Sequence, residues 1–175
     1  MSAKSTDRAV VTTFVAVDPD LAFEVFTGEI DRWWRRGPRF RPGGGSSGGA
    51  LRFEPTPGGR RLVETAGAGG EQVFEIGRVL VWEPGARLVF EWRGRDFSPD
   101  ERTEVEIHFE PAAGGTRVTL EHRGWDALRP GHPARRGMSG GALTDMIGLW
   151  WADLTTSLRA HIARARAQAG PGPSA

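Results

Sequence analysis

The sequence contains no cysteine and no tyrosine, and Lys4 is its only lysine. Without cysteine, disulfides and thiolate metal sites are excluded, and the cytoplasm is the expected compartment. No apolar run approaches the roughly 20 residues that span a bilayer. The segment 1–9 is polar and lacks the apolar core of a signal peptide. We therefore expect a protein that does not insert into a membrane.

The sequence also lacks an excess of positive or negative charge, because 23 basic and 22 acidic residues leave a formal net charge of +1. A chain so close to neutrality has no overall field to attract nucleic acid, so no nucleic-acid partner is expected. Its 175 residues are enough for one domain with its own core. The predicted organisation is a disordered N-terminus over 1–8, a single domain over 9–167 and a flexible tail over 168–175. The predicted state is a monomer or a homodimer.

The most regular pattern that is present is an apolar stripe between positions 140 and 167. Steps of three and four residues place its members on one face of a helix. Such a helix crosses a whole small domain, and its apolar face needs other elements to cover it. The stripe consists of Leu143, Ile147, Trp150, Leu154, Leu158 and Ile162, and is widened by Met146 and Trp151.

The chain before this helix is predicted to be mostly strands. Residues 10–17 are β-branched and apolar, as expected for a first strand. Asp18 and Pro19 then predict a helix start, because Asp is a favoured N-cap and Pro a favoured first helical residue. Residues 29–34 predict a second short helix.

Alternation identifies the later strands. Within residues 103–110, Val105, Ile107 and Phe109 share one face, and the residues between them are charged or polar. Short turns connect these strands, so neighbouring strands pair antiparallel. The predicted fold is α+β: a curved antiparallel sheet of about six to seven strands around a long C-terminal helix, with two short helices after the first strand.

Four motifs connect this arrangement to a known family. They are the helix pair that ends in Arg32-Trp33-Trp34, the strand entry at 48–53, the central hairpin at 77–92 and the last hairpin at 114–122. They resemble the helix-grip fold of the START/Bet v 1-like (SRPBCC) superfamily, in the branch related to the activator of Hsp90 ATPase. The resemblance covers about residues 9–166. It implies an elongated cavity between sheet and helix for a lipid, polyketide, hormone or other apolar small molecule.

Binding of a hydrophobic or amphipathic small molecule in that cavity is the predicted function, with no cofactor. A strongly curved sheet cannot touch a straight helix everywhere, so space lined by apolar groups is expected. Alternatively, the same side chains simply fill a close-packed core. The predicted ligand-binding residues are Phe53, Phe74, Arg78, Phe90, Trp92, Phe109, Leu120, His122, Leu143, Ile147, Trp150 and Leu154.

His122 is the weak candidate for a catalytic residue. It falls in phase with Val118 and Leu120 on the inner face of its strand, and an imidazole titrates near neutral pH. The resemblance implies, as an alternative function, a cyclase/dehydratase- or hydrolase-like enzyme that uses His122 in the cavity. The plainer alternative is a histidine at a strand end. The four histidines lack metal-binding spacing, so no metal site is expected.

A basic segment follows the second predicted helix, with arginines at 32, 35, 36, 39 and 41. With Trp33, Trp34 and Phe40 between them, these cations could hold an anionic ligand or stack on nucleic acid bases. The same surface could instead bind a partner in a stress- or chaperone-linked role. A solvated loop is the simpler interpretation. The glycine-rich run at 43–49 lacks the Lys-Ser/Thr ending of a phosphate-binding loop. It is interpreted as a flexible flap, because glycine leaves the backbone unrestricted. The facing of Glu64, Glu75, Asp96 and Arg78 is left open.

Overall fold

The computed structural model describes residues 7–42, 49–67 and 69–170. Within them, seven strands form one antiparallel sheet in the order β1-β7-β6-β5-β4-β3-β2. The helices are α1 (Pro19–Gly28), α2 (Ile30–Trp33) and α3 (Gly140–Ala169), with 3-10 turns at Trp125–Ala127 and Pro133–Arg135. This is the predicted α+β helix-grip fold. The strands are β1 (Arg8–Val15), β2 (Ala50–Thr56), β3 (Gly59–Ala66), β4 (Gln72–Glu83), β5 (Arg87–Trp92), β6 (Thr103–Ala112) and β7 (Gly115–Arg123).

The first helix begins as predicted. The Asp18 carboxylate accepts a hydrogen bond from the Leu21 N–H at 2.9 Å, and Pro19 is the first helical residue. Phe23 and Phe26 are buried on the inner face of α1. Their rings contact Phe109 of β6, with centroids 5.3 and 5.9 Å apart, so α1 covers one end of the sheet.

The sheet bends where β4 passes from its pairing with β3 to its pairing with β5. The register shifts between Leu62 and Val63 and again between Val79 and Val81, and such irregularities bend a strand. Gly77 lies between them. A Cβ on Gly77 would lie 1.8 Å from the Glu91 carbonyl oxygen, so only glycine permits this close approach of the two strands.

α3 crosses the sheet with an apolar stripe that differs at one position from the predicted one. Its 30 residues span about 45 Å. Trp151 is fully buried, whereas Trp150 is only partly buried, so placing Trp150 rather than Trp151 on the central stripe was wrong. Both positions follow Ile147 at helical spacing, and only the position of the sheet decides between them. The buried residues are Leu143, Ile147, Trp151, Leu154, Thr155, Leu158 and Ile162.

The outer face of β6 and β7 carries charge, as the alternation predicts. Glu106 accepts hydrogen bonds from Arg123 at 2.6 Å and from Arg87 at 2.7 Å. Burial would raise the pKa of Glu106, but the hydrogen bonds from Arg123, Arg87 and His108 outweigh it and lower the pKa to about 2. One face of the sheet therefore meets water while the other meets the helices.

Several predicted segments lie largely outside the described residues. Those are the N-terminus up to residue 6, the presumed flap at 43–48 and the tail from 171 onward. β1 begins at Arg8, and α3 continues to Ala169. In the part of the chain that the structure describes, no helix is both long enough and apolar enough to cross a bilayer.

Candidate ligand-binding site

A pocket of about 390 Å³ lies between the first half of α3 and the ends of β5 and β7. Three connecting segments complete it: the chain after α2, the loop after β5 and the region of the two 3-10 turns. Its volume falls within the range of about 300–1,000 Å³ that is usual for small-molecule sites. The lining residues are Pro38, Arg39, Phe40, Arg41, Pro42, Trp92, Gly94, Arg95, Asp96, Phe97, His122, Trp125, Ala134, Arg136, Met146, Ile147 and Trp150.

The wall between the pocket and the core is a tryptophan cluster formed by Trp34, Trp92, Trp150 and Trp151. Trp34 stacks on Trp92 with ring centroids 5.6 Å apart, and Trp150 meets Trp151 edge to face at 4.9 Å. Trp92 and Trp150 line the pocket, and the other two lie behind them, buried. Since interlocked rings have few alternative rotamers, this wall is expected to be rigid.

Trp150 also fixes the segment that closes one side of the pocket. Its Nε1–H donates a hydrogen bond of 2.9 Å to the Arg39 carbonyl, and its ring stacks on Phe40 at 6.1 Å. The polar atom of this large side chain is thus satisfied within the protein. Its ring surface remains available to an apolar ligand.

His122 lies in the same wall, with both ring nitrogens engaged. The indole Nε1–H of Trp151 donates to Nδ1 at 3.0 Å, so Nδ1 accepts and the proton is on Nε2. Nε2 then donates to Thr103 Oγ1 at 2.7 Å, and that hydroxyl donates to the Trp92 carbonyl at 3.1 Å. Burial lowers the pKa of His122 to about 3, which keeps the imidazole neutral.

Trp125 differs from its neighbours because its polar atom is unsatisfied. The residue is 3% exposed, and its ring lies 4.6 Å from that of His122. Its Nε1 is buried and has no hydrogen-bond partner among the described residues. A buried donor without an acceptor costs free energy, and water in the pocket does not reach this atom.

Part of the basic segment forms the pocket wall rather than the predicted solvated loop. Arg41 is 3% exposed, and its guanidinium pairs with Asp31 at 2.8 Å and donates to the Trp34 carbonyl at 3.3 Å. The expectation of a solvated segment was wrong for this residue, because these acceptors replace water around its charge. Arg39 is exposed and pairs with Asp153 at 3.3 Å.

Arg95, Asp96 and Arg136 form the charged rim of the pocket. All three are exposed and line the opening. Neither arginine has an ion-pair or hydrogen-bond partner for its side chain within residues 7–42, 49–67 and 69–170. Arg136 is the one non-glycine residue with positive φ in that part of the chain, at 47°.

The family model described as "Activator of Hsp90 ATPase homolog 1-like protein" matches residues 16–143. The chain belongs to this family. No curated protein sequence gives a match.

Solved structures show the same fold at low identity. An Hsp90 activator from Plasmodium falciparum gives a TM-score of 0.59 at 16% identity, covering 90% of this chain and 96% of its own. A protein from Nitrosomonas europaea gives 0.58 at 18%, with coverage of 94% and 99%. DynU16, from the dynemicin biosynthetic locus, gives 0.56 at 20%, with coverage of 90% and 47%. At identities of 16–20%, the similarity to these solved structures establishes the fold alone.

Four of the predicted ligand-binding residues lie together in the pocket of this protein. Trp92, His122, Ile147 and Trp150 line the pocket. Arg78 is exposed on β4, away from the pocket, and Phe53 and Phe74 are partly buried against the core. The ligand-binding role assigned to those outside the pocket stays a prediction. The remaining predicted residues lie in the packed core: Phe90, Phe109, Leu120, Leu143 and Leu154.

The pocket-lining residues that were not predicted from the sequence come mostly from loops. Phe97 and Trp125 supply aromatic surface, and Arg95 and Arg136 supply charge. Phe40, which the sequence places in the basic segment, also lines the pocket. Loops carry no hydrophobic period, so the usual signal is missing there. An isolated Trp in a Gly- and Pro-containing connection was the available clue to Trp125. Among the described residues, no three His, Asp or Glu side chains group as a metal site would require.

Proposed function

We propose that this protein binds a hydrophobic or amphipathic small molecule in the pocket beside α3. The observation that carries the proposal is an open pocket of about 390 Å³ whose inner wall is built from Trp92, Trp150 and His122. Pockets lined by aromatic groups with a few polar ones are typical of ligand sites. The proposal places the ligand at one end of the fold, since the middle is filled by core side chains.

The hydrogen bonding of the wall supports an apolar ligand surface. Trp150 donates to a backbone carbonyl, and both nitrogens of His122 are used inside the protein. These residues therefore offer carbon surface rather than unsatisfied polar atoms. An aromatic ligand that buries about 200–300 Å² of apolar area gains roughly 5–7 kcal/mol. The loss of translational and rotational freedom of the ligand offsets part of this gain.

Binding is favoured over the enzymatic alternative by the state of His122. A general acid or base needs a nitrogen within reach of the substrate. Here Nδ1 already accepts from Trp151, and Nε2 already faces Thr103. Because burial lowers the pKa of His122 to about 3, the imidazole is uncharged near neutral pH and cannot act as a general acid in its imidazolium form.

The partner-binding alternative expects an exposed aromatic and basic patch around Trp33 and Trp34. These side chains are 1% and 2% exposed, which disfavours such a patch. The Hsp90 role named for the Plasmodium falciparum protein belongs to that protein. The place of DynU16 in a biosynthetic locus is compatible with small-molecule recognition by this fold.

Titration with phenylnaphthylamine, an uncharged dye that fluoresces in apolar sites, tests the proposal. We expect saturable binding to the wild-type protein. Ala134→Phe places a ring in the pocket and should abolish binding, because Ala134 lines it. Ala160→Phe makes the same change at an exposed position of α3 outside the pocket and should leave binding unchanged. Absence of saturable binding, or equal effects of the two variants, would contradict the proposal.

A further inference from the structure

The rim of the pocket offers hydrogen-bond donors and positive charge without matching acceptors. Arg95 and Arg136 have exposed guanidiniums that no described carboxylate neutralises. Among the described residues that line the pocket, Asp96 is the one acidic side chain, against four arginines. Two of these arginines, Arg39 and Arg41, are already paired with Asp153 and Asp31. Arg95 and Arg136 are therefore the two pocket arginines whose positive charge is free to bind a ligand.

Inside the pocket, the polar atoms of the wall are used within the protein. Nδ1 of His122 accepts from Trp151, Nε2 of His122 faces Thr103, and Trp150 donates to the Arg39 carbonyl. The free donors for a ligand are therefore those of Arg95 and Arg136 at the rim, and such donors favour a ligand that accepts hydrogen bonds.

Resting on the proposed function, we infer that the ligand is an aromatic organic anion, with a carboxylate or sulfonate held at the rim. Its ring system lies on the aromatic wall, and its anionic group meets Arg95 and Arg136. Guanidinium groups bind such oxyanions through paired N–H donors, and the hydrogen bonds are strengthened by charge. Asp96 opposes this attraction and limits its strength.

Two dyes that share one ring system separate the contributions. Anilinonaphthalene sulfonate is anionic, and phenylnaphthylamine is its neutral parent. The readout is the ratio of their dissociation constants, which cancels any general damage to the pocket. We expect wild-type protein to prefer the sulfonate at low salt, and the preference to shrink as salt screens the charges.

The double variant Arg95→Gln/Arg136→Gln should lower the preference for the sulfonate by about tenfold. Any change in the affinity for phenylnaphthylamine is divided out by this ratio. Arg159→Gln/Arg164→Gln removes the same charge from exposed positions of α3 outside the pocket and should leave the ratio unchanged. Asp96→Asn should raise the preference by about twofold, since it removes the opposing charge.

The outcomes distinguish this inference from the proposed function. If phenylnaphthylamine binds but the ratio is the same in wild type and in the Arg95/Arg136 double variant, the anion inference is overturned and the pocket remains a ligand site. An equal loss of preference in the Arg159/Arg164 control also overturns it, because the effect is then one of net charge. If neither dye binds the wild-type protein, the proposed function fails as well.

Discussion

The indole nitrogen of Trp151 donates to Nδ1 of His122 across 3.0 Å, and this bond joins α3 to β7 in the interior. Both side chains are almost fully buried, at 0% and 1% exposure. Because the indole can only donate, the bond fixes the tautomer of the imidazole and directs its remaining proton to Thr103. A residue that looks catalytic in the sequence is thereby held as a neutral connection between helix and sheet.

Removing this connection should be costly. His122→Ala leaves the Trp151 N–H without its acceptor and creates a cavity, so the free energy of unfolding should fall by about 3–4 kcal/mol. His108→Ala, at an exposed position of β6, should change it by less than about 1 kcal/mol. Urea unfolding at neutral pH measures both. Equal effects of the two substitutions would contradict the assigned role of His122.

The buried imidazole also predicts a pH dependence. Burial lowers the pKa of His122 to about 3 in the folded protein, against about 6.5 when unfolded. Between these values the unfolded chain binds a proton that the folded protein does not. The contribution of His122 to the free energy of unfolding is therefore full above pH 6.5 and declines as pH falls toward 3. The slope from this group should approach about 1.4 kcal/mol per pH unit near pH 5.

Comparison with His122→Gln isolates that contribution, because glutamine cannot titrate. Between pH 7 and pH 5 the stability of the variant should fall less steeply than that of the wild type. Nitrogen chemical shifts of His122 should stay those of a neutral ring over the same interval. A His122 signal that titrates near pH 6.5 in the folded protein would refute the assignment.

Substitution of two glycines should change stability in opposite directions. Gly77→Ala puts a Cβ 1.8 Å from the Glu91 carbonyl oxygen, so the strands must separate, and we expect a loss of about 2–3 kcal/mol. Gly148→Ala, within α3 and with open space around the added atom, should gain about 0.5–1 kcal/mol. Thermal unfolding of the two variants checks the sign of each. A neutral Gly77→Ala would mean that the bend of β4 does not need the close approach.

The ion pair between buried Arg41 and partly buried Asp31, beside the pocket, can be compared with an exposed ion pair. Burial would raise the pKa of Asp31, but hydrogen bonds from Leu51 N–H and Arg41 lower it. Arg41→Gln removes the buried guanidinium from the partly buried Asp31 carboxylate and from the Trp34 carbonyl, and should destabilise the protein by about 2–3 kcal/mol. Arg32→Gln, at an exposed position with a contact of 3.9 Å to Glu29, should cost less than about 0.5 kcal/mol. Urea unfolding separates the two cases, and similar losses would argue against a structural role for Arg41.

Periodicity predicted the elements well, because α3, β6 and β7 each bury one face of a regular pattern. It could not choose between Trp150 and Trp151, since both positions satisfy the helical spacing after Ile147. The difference decides the site: Trp151 enters the core and bonds His122, while Trp150 lines the pocket. That choice depends on the rotation of α3 against the sheet.

The residues that line this pocket were harder to predict than the elements of the fold. The sequence shows that aromatic side chains face inward but not which of them pack together. Phe90 and Phe109 fill the middle of the sheet, so the free space is left at the end that loops close. Arg95 and Arg136 lie on those loops, where neither period nor turn chemistry indicates a direction for the side chain.

Indole N–H spectra during a phenylnaphthylamine titration test the central claim most directly. The chain has seven tryptophans, and single Trp→Phe variants assign their signals. The signals of Trp92, Trp125 and Trp150, which line the pocket, should shift saturably with one common dissociation constant. That of Trp33, buried and bonded to the Phe26 carbonyl at 3.2 Å, should stay in place. Shifts that never saturate, or that affect Trp33 while the pocket tryptophans stay unchanged, would contradict a ligand site in this pocket.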